Sequence, residues 1–292
     1  MEQGDDGVGV PHLPRLSKHA PRRILPFMRQ PTMYLPHGGG PCFFMDWTMG
    51  PADTWDRMAE FLRGIERSLP EKPKALLVIS AHWEEQVPTV MSATAPPLLF
   101  DYGGFPKHTY ELTWPAPGSP TLAARIGELL GEAGIESRQN DSRGFDHGVF
   151  VPLKVAFPEA QIPTVQLSLR ASLDPAEHLA IGRALAPLRD EGVLIIGSGM
   201  SYHNMRGFMS GTGNADSKRF DEWLSAAITK APRERDDLLR EWSRAPAARA
   251  CHPREEHLIP LMVAAGAAGE DRGARVFNDA PMQAVVSAVR FG

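Results

Sequence analysis

Three apolar runs of strand length each end beside a histidine, and this pattern most narrows what the chain can become. Thr32–Leu35 runs into Pro-His37-Gly-Gly-Gly-Pro. Ala75–Ser80 (Ala-Leu-Leu-Val-Ile-Ser) runs into Ala-His82-Trp. Val193–Ser198 (Val-Leu-Ile-Ile-Gly-Ser) runs into Gly-Met-Ser-Tyr-His203-Asn. Continuous apolar runs of this length are how strands buried on both faces read. Helical patterns alternate with them, capped near Asp53 or Thr54 through Ser68, over Ser119–Gly134 and over Pro175–Asp190. Further helices are expected at about 214–230, 234–244 and 254–266, with a strand at Val285–Arg290. This alternation predicts an α/β fold, a single domain whose largely parallel or mixed central sheet carries helices on both faces. Ligands of such sheets gather beyond the carboxyl ends of the strands, which is where the three histidines fall.

Composition limits the alternatives. The 292 residues carry 31 Lys+Arg against 35 Asp+Glu, a net charge of −4, which gives no basic patch for nucleic acid. The longest apolar run, Leu258–Ala268, holds a proline and falls short of the ~18 residues a membrane span needs. The opening Met-Glu-Gln-Gly-Asp-Asp has no apolar signal region, so a cytoplasmic protein is expected. Cys42 and Cys251 form neither a disulfide framework nor a CxxC metal site. Residues 1–30, broken by Pro11, Pro14, Pro21 and Pro26 and rich in basic side chains, read as a flexible or partner-docked tail before a catalytic domain at 31–292.

Ten histidines are present, and their contexts differ. Neutral imidazole is a frequent ligand for zinc and iron, so His37, His82 and His203 at equivalent strand ends favour a shared metal site at those ends. The glycines after His37 lack both the GxxxxGK[ST] and GxGxxG spacings, which weakens a phosphate-cradle reading. His147 sits in Gly-Phe-Asp-His-Gly, where Asp146 is expected to cap the helix that follows. His252 and His257 are about 140° apart on a helix, so only one would face a site, and His257 lies in the apolar stretch. Its neighbour Glu256 would then point about 100° away. His12 and His19 lie in the tail, and His178 on an exposed-looking helix. His108, Phe105, Tyr110, Trp114 and Tyr202 are candidates to wall a substrate pocket.

Eight motifs occur in order: His-Gly-Gly-Gly-Pro, Ser-Ala-His-Trp, Tyr-Gly-Gly-Phe-Pro, Pro-Ala-Pro-Gly-Ser-Pro, Gly-Phe-Asp-His-Gly, Pro-x-Val-Gln-Leu-Ser, Gly-Ser-Gly-x-x-x-His-Asn and Glu-His-Leu-x-Pro-Leu. Together, over about residues 33–290, they resemble the class III (LigB-type) extradiol ring-cleaving dioxygenases, and most closely the 4,5-DOPA dioxygenase branch. The resemblance implies non-haem Fe(II) held by His37, His82 and His257, with zinc often found in its place. It implies a general base at His203, which is also counted as a fourth ligand in this branch, and a substrate- or oxygen-orienting histidine at His147. The partners it implies are a small aromatic diol and O₂, with no nucleic acid or membrane, in a chain that can form a homo-oligomer. Three ligands would leave room for both catechol oxygens and O₂, and ring opening beside the diol would give a muconate semialdehyde. Two alternatives stay open: a zinc hydrolase built on the same histidines, for which no H-E-x-x-H is present, and a non-catalytic Memo-like binding module, against which the presence of both His147 and His203 argues.

Overall fold

The computed structural model describes Met1 and residues 28–292, so most of the expected N-terminal tail lies outside the described residues. At its end, Gln30 is fixed on the domain: its N–H donates to the Arg189 carbonyl (3.1 Å) and its carbonyl accepts from Arg189 Nε (2.7 Å).

Eight strands form one mixed sheet among the described residues. They are β1 (Thr32–Pro36), β2 (Ala75–Glu85), β3 (Thr89–Met91), β4 (Arg138–Asn140), β5 (Thr164–Arg170), β6 (Val193–Gly199), β7 (Gly273–Asp279) and β8 (Val286–Phe291). The order is β4-β3-β5-β2-β6-β1-β8-β7. The central β5-β2-β6-β1 block is parallel, and β3 and β8 join it antiparallel. Three of its four strands, β1, β2 and β6, carry the apolar runs read in the sequence, and β6 is buried along its whole length.

Among the described residues nine α-helices accompany the sheet: α1 (Asp56–Ser68), α2 (Pro120–Glu132), α3 (His147–Ala156), α4 (Pro175–Leu185), α5 (Met205–Ser210), α6 (Asn214–Ile228), α7 (Pro232–Arg240), α8 (Ala248–Cys251) and α9 (Ile259–Ala268). Strand alternation shows which face each covers. Thr32 Oγ1 donates to the Ala264 carbonyl of α9, whereas the next residue, Met33, lines a pocket on the opposite side together with Phe61 and Ile65 of α1. In β6, Ser198 bonds the Gly148 carbonyl of α3, whereas Gly197 lies against Pro260 of α9. Helices α1 and α3 therefore cover one face and α9 the other. Helix α9 is buried at every residue, as its uniformly apolar sequence requires.

The local signals mostly hold. Ser119 caps α2 by accepting from the Leu122 N–H (3.2 Å), and Asp174 caps α4 through the Ala176 and Glu177 N–H groups. Three readings change. Helix α1 starts at Asp56 with no side-chain cap, because Thr54 Oγ1 donates to the Pro51 carbonyl instead. The helix expected from 254 begins only at Ile259, where Pro260 takes the first-turn position that tolerates a missing N–H. His178 is buried: Nδ1 donates to the Asp174 carbonyl and Nε2 accepts from the Arg170 N–H.

Candidate metal and active site

His37, His82, His147, His203 and His257 line one cavity of about 320 Å³ at the carboxyl end of the parallel block. Each arrives by a different route. His37 follows β1, and its N–H is held by the Gly199 carbonyl at the end of β6 (3.2 Å). Gly38 then turns the chain at φ +85°, a conformation that favours glycine. His82 lies within β2, not after it, where the register with β5 slips between Ile79 and Glu84. Such an irregularity re-aims a side chain out of the pleat.

A buried clamp fixes His82. Ser80 Oγ accepts from the His82 N–H (3.2 Å) and donates to Asp146 Oδ1 (2.7 Å). Arg143 Nη2 bridges the His82 carbonyl (3.2 Å) and Asp146 Oδ2 (3.1 Å). Gln166 Nε2 also donates to Asp146. Asp146 precedes α3, but its side chain makes no cap bond because it is committed to this clamp. Burial raises its pKa. Gly148 lets α3 approach: a Cβ there would lie 2.6 Å from Ser80 Oγ and 2.8 Å from His82 Cδ2.

The ring nitrogens of His37, His82 and His257 all fall within 4.8 Å of one another. His37 Nδ1 donates to the Gly38 carbonyl (2.9 Å), which leaves Nε2 as an acceptor, and that nitrogen meets His82 Nε2 at 3.2 Å. His257 Nδ1 donates to Glu256 Oε1 (2.9 Å), and its Nε2 is buried with no hydrogen-bond partner. Burial first, and then the neighbouring imidazoles, hold His37 and His82 well below the usual histidine range. Burial also pulls His257 down to about 4 against the pull of Glu256. Convergent, neutral imidazole nitrogens, with His257 Nε2 buried and unpartnered, are the donor set a divalent transition metal takes, so these residues fit a metal ion.

Two carboxylates each serve a pair of histidines. Glu256 Oε1 faces His257 Nδ1 and also His203 Nδ1 (3.2 Å). Asp101 Oδ1 accepts from the N–H (2.9 Å) and Nδ1 (2.8 Å) of His147, and its Oδ2 lies 3.9 Å from His82 Nδ1. Burial works against both carboxylates, but the hydrogen bonds from their histidines outweigh it and both end below the usual carboxylate range. Glu256 thus reaches the site, contrary to the helical reading, because it lies in the turn before α9.

The expected pocket walls divide. Phe105 lines the cavity. Tyr110 stands behind it, with its hydroxyl accepting from the Phe105 N–H (3.4 Å). His108 is exposed, and its Nε2 donates to the Phe44 carbonyl (3.0 Å). Trp114 is buried away from the cavity, with Nε1 on the Phe157 carbonyl and its ring on Phe145. Tyr202 is buried against Phe208 at 4.9 Å, and burial pushes its hydroxyl up to about 12. Of these five only Phe105 touches the cavity; the others pack beneath it or elsewhere. The remaining walls include Trp47, Trp55, Tyr102, Phe208 and five methionines, none of them among the expected pocket walls. Asp101 and Tyr102 stand immediately before the Gly-Gly-Phe-Pro segment, and that adjacency was the available signal.

Residues 31–290 match the family described as the catalytic LigB subunit of aromatic ring-opening dioxygenase. A 4,5-DOPA dioxygenase extradiol of Beta vulgaris is 43% identical over 217 residues, covering 73% of this chain and 80% of the relative. The dioxygenase tasH of Hapsidospora irregularis is 38% identical over 271 residues, covering 85% and 81%. The crystal structure of an uncharacterized Escherichia coli K12 protein superposes with a TM-score of 0.70 at 30% identity, covering 90% of this chain and all of that one.

Proposed function

The chain belongs to the LigB family of aromatic ring-opening dioxygenases, and from that membership we propose that it is an Fe(II)-dependent extradiol dioxygenase that adds O₂ to a catechol and releases a muconate semialdehyde. The observation that carries this reading is the convergence of ring nitrogens from His37, His82 and His257 within 4.8 Å of one another, beside two further histidines, each backed by a carboxylate. Those three residues would hold the metal. Fe(II), when bound, supplies the electron transfer between catechol and O₂ that closed-shell zinc lacks.

The protein's own groups manage protons and position. His203 is the general base. With its Nδ1 directed at Glu256, its other nitrogen is free to take a catechol hydroxyl proton and to return it after ring opening. His147, oriented through Asp101, presents its other nitrogen to the polar atoms of the reactants. Trp47, Trp55 and Phe105 hold the ring and keep water from it.

The test is oxygen uptake by protein reconstituted anaerobically with Fe(II), with zinc-loaded protein as control. The expected result is catechol-dependent uptake and a new visible absorbance with iron alone. Stoichiometric iron without uptake on any catechol would overturn the reading.

A further inference from the structure

The same cavity also constrains the side chain of its substrate; this inference rests on the catechol-cleaving reading. Among the described residues, neither lysine nor arginine lines the cavity. Its outer wall is apolar. Met49, Met205 and Met209 stand at the mouth, 47%, 58% and 64% exposed, with Met282 beside them. Exposed apolar side chains gathered at one rim mark a binding surface, and unbranched, polarisable methionine moulds itself to varied apolar shapes.

Beyond the rim lies a groove of about 650 Å³ that shares Met49, Phe208, Met209 and Met282 with the cavity. A ring substituent leaving the inner cavity passes between them. The groove's charged residues are Asp53, Asp56, Asp279 and Arg57, and Arg57 is paired with Asp279 at 2.6 Å. A carboxylate on the substituent would meet apolar wall first and an excess of negative charge next, where the one cation of the lining, Arg57, is already paired with Asp279.

We propose that the substrate is a catechol carrying an uncharged, apolar substituent, seated between Met205, Met209 and Met282, and not a carboxylated catechol.

The experiment compares 4-methylcatechol, 4-butylcatechol, DOPA and protocatechuate. Fe(II)-loaded protein gives kcat/KM, and zinc-loaded protein gives Kd by quenching of Trp47 and Trp55 fluorescence. Burial of each added methylene should tighten binding about fourfold, so 4-butylcatechol should exceed 4-methylcatechol by roughly tenfold or more in both assays. DOPA and protocatechuate should fall below 4-methylcatechol. Met209→Lys should lower kcat/KM for 4-butylcatechol and raise it for DOPA, reversing part of the order. DOPA or protocatechuate bound or cleaved as well as 4-butylcatechol would overturn the proposal while leaving ring cleavage intact. No cleavage of any catechol, with the binding order preserved, would support the proposed wall and overturn the ring-cleaving reading instead.

Discussion

His203 and His257 lie ring on ring, with centroids 3.3 Å apart and planes 17° from parallel. Both direct Nδ1 at the same oxygen of Glu256. One carboxylate therefore sets the orientation of a candidate ligand and of the candidate base together. Glu256→Gln keeps the shape but removes the charge. Iron affinity should fall about 10–100-fold, as is typical when such an outer partner is lost. A chelator-competition titration measures it, and unchanged affinity together with unchanged kcat would show that Glu256 orients neither ring.

The stacked pair also separates the two roles. His203→Ala should retain metal and lose turnover, whereas His37→Ala or His82→Ala should lose both. Metal content after reconstitution, measured beside oxygen uptake, distinguishes them. If His203→Ala also empties the site, His203 is a ligand and not the base.

Gly148→Ala tests the clamp behind His82. The new methyl would lie 2.6 Å from Ser80 Oγ and 2.8 Å from His82 Cδ2, so one of them must move. Overpacking of this kind costs about 1–3 kcal/mol of stability. The urea midpoint should drop and metal retention should fall with it. A variant with normal midpoint and normal metal content would mean that α3 can shift freely.

His252 gives a pH prediction away from the cavity. Its ring is fully buried, Nε2 donates to the Ser201 carbonyl (3.0 Å), and burial pushes its pKa down to about 3. The folded value lies below the unfolded one, so the unfolded chain binds the extra proton. Its contribution is complete above about pH 6.5 and is lost as pH falls toward 3, at about 1.4 kcal/mol per pH unit. His252→Gln should therefore lose less stability than the parent between pH 7 and pH 5, by roughly 2 kcal/mol in urea unfolding. Equal losses would show that His252 protonates within the fold.

The parallel core was legible because strands buried on both faces leave long apolar runs, as Leu76–Ile79 and Leu194–Ile196 do. The edges were not. Arg138–Asn140 is polar throughout and Gly273–Asp279 is mostly exposed, so neither has a clear alternating pattern, as is usual for edge strands. The histidines were legible because they punctuate the runs. Glu256 was obscured because continuing the apolar pattern of α9 backward placed it on a helix that begins three residues later. The methionine rim left little signal, because Met205 and Met209 are one turn apart on the short α5 whereas Met49 and Met282 come from distant loop segments.

The Tyr34 hydroxyl donates to the His257 carbonyl at 2.6 Å across 223 residues of chain. The first strand of the described residues is thus tied to one of their last segments at the wall of the cavity. A chain can hold His37 and His82 yet lacks the candidate donor His257 until the turn before α9 has docked, so on the proposed assignment metal capture would follow that docking. A chain that stops short of that turn would be unable to assemble the site however much of the sheet had formed, which makes metal retention a reporter of completed folding.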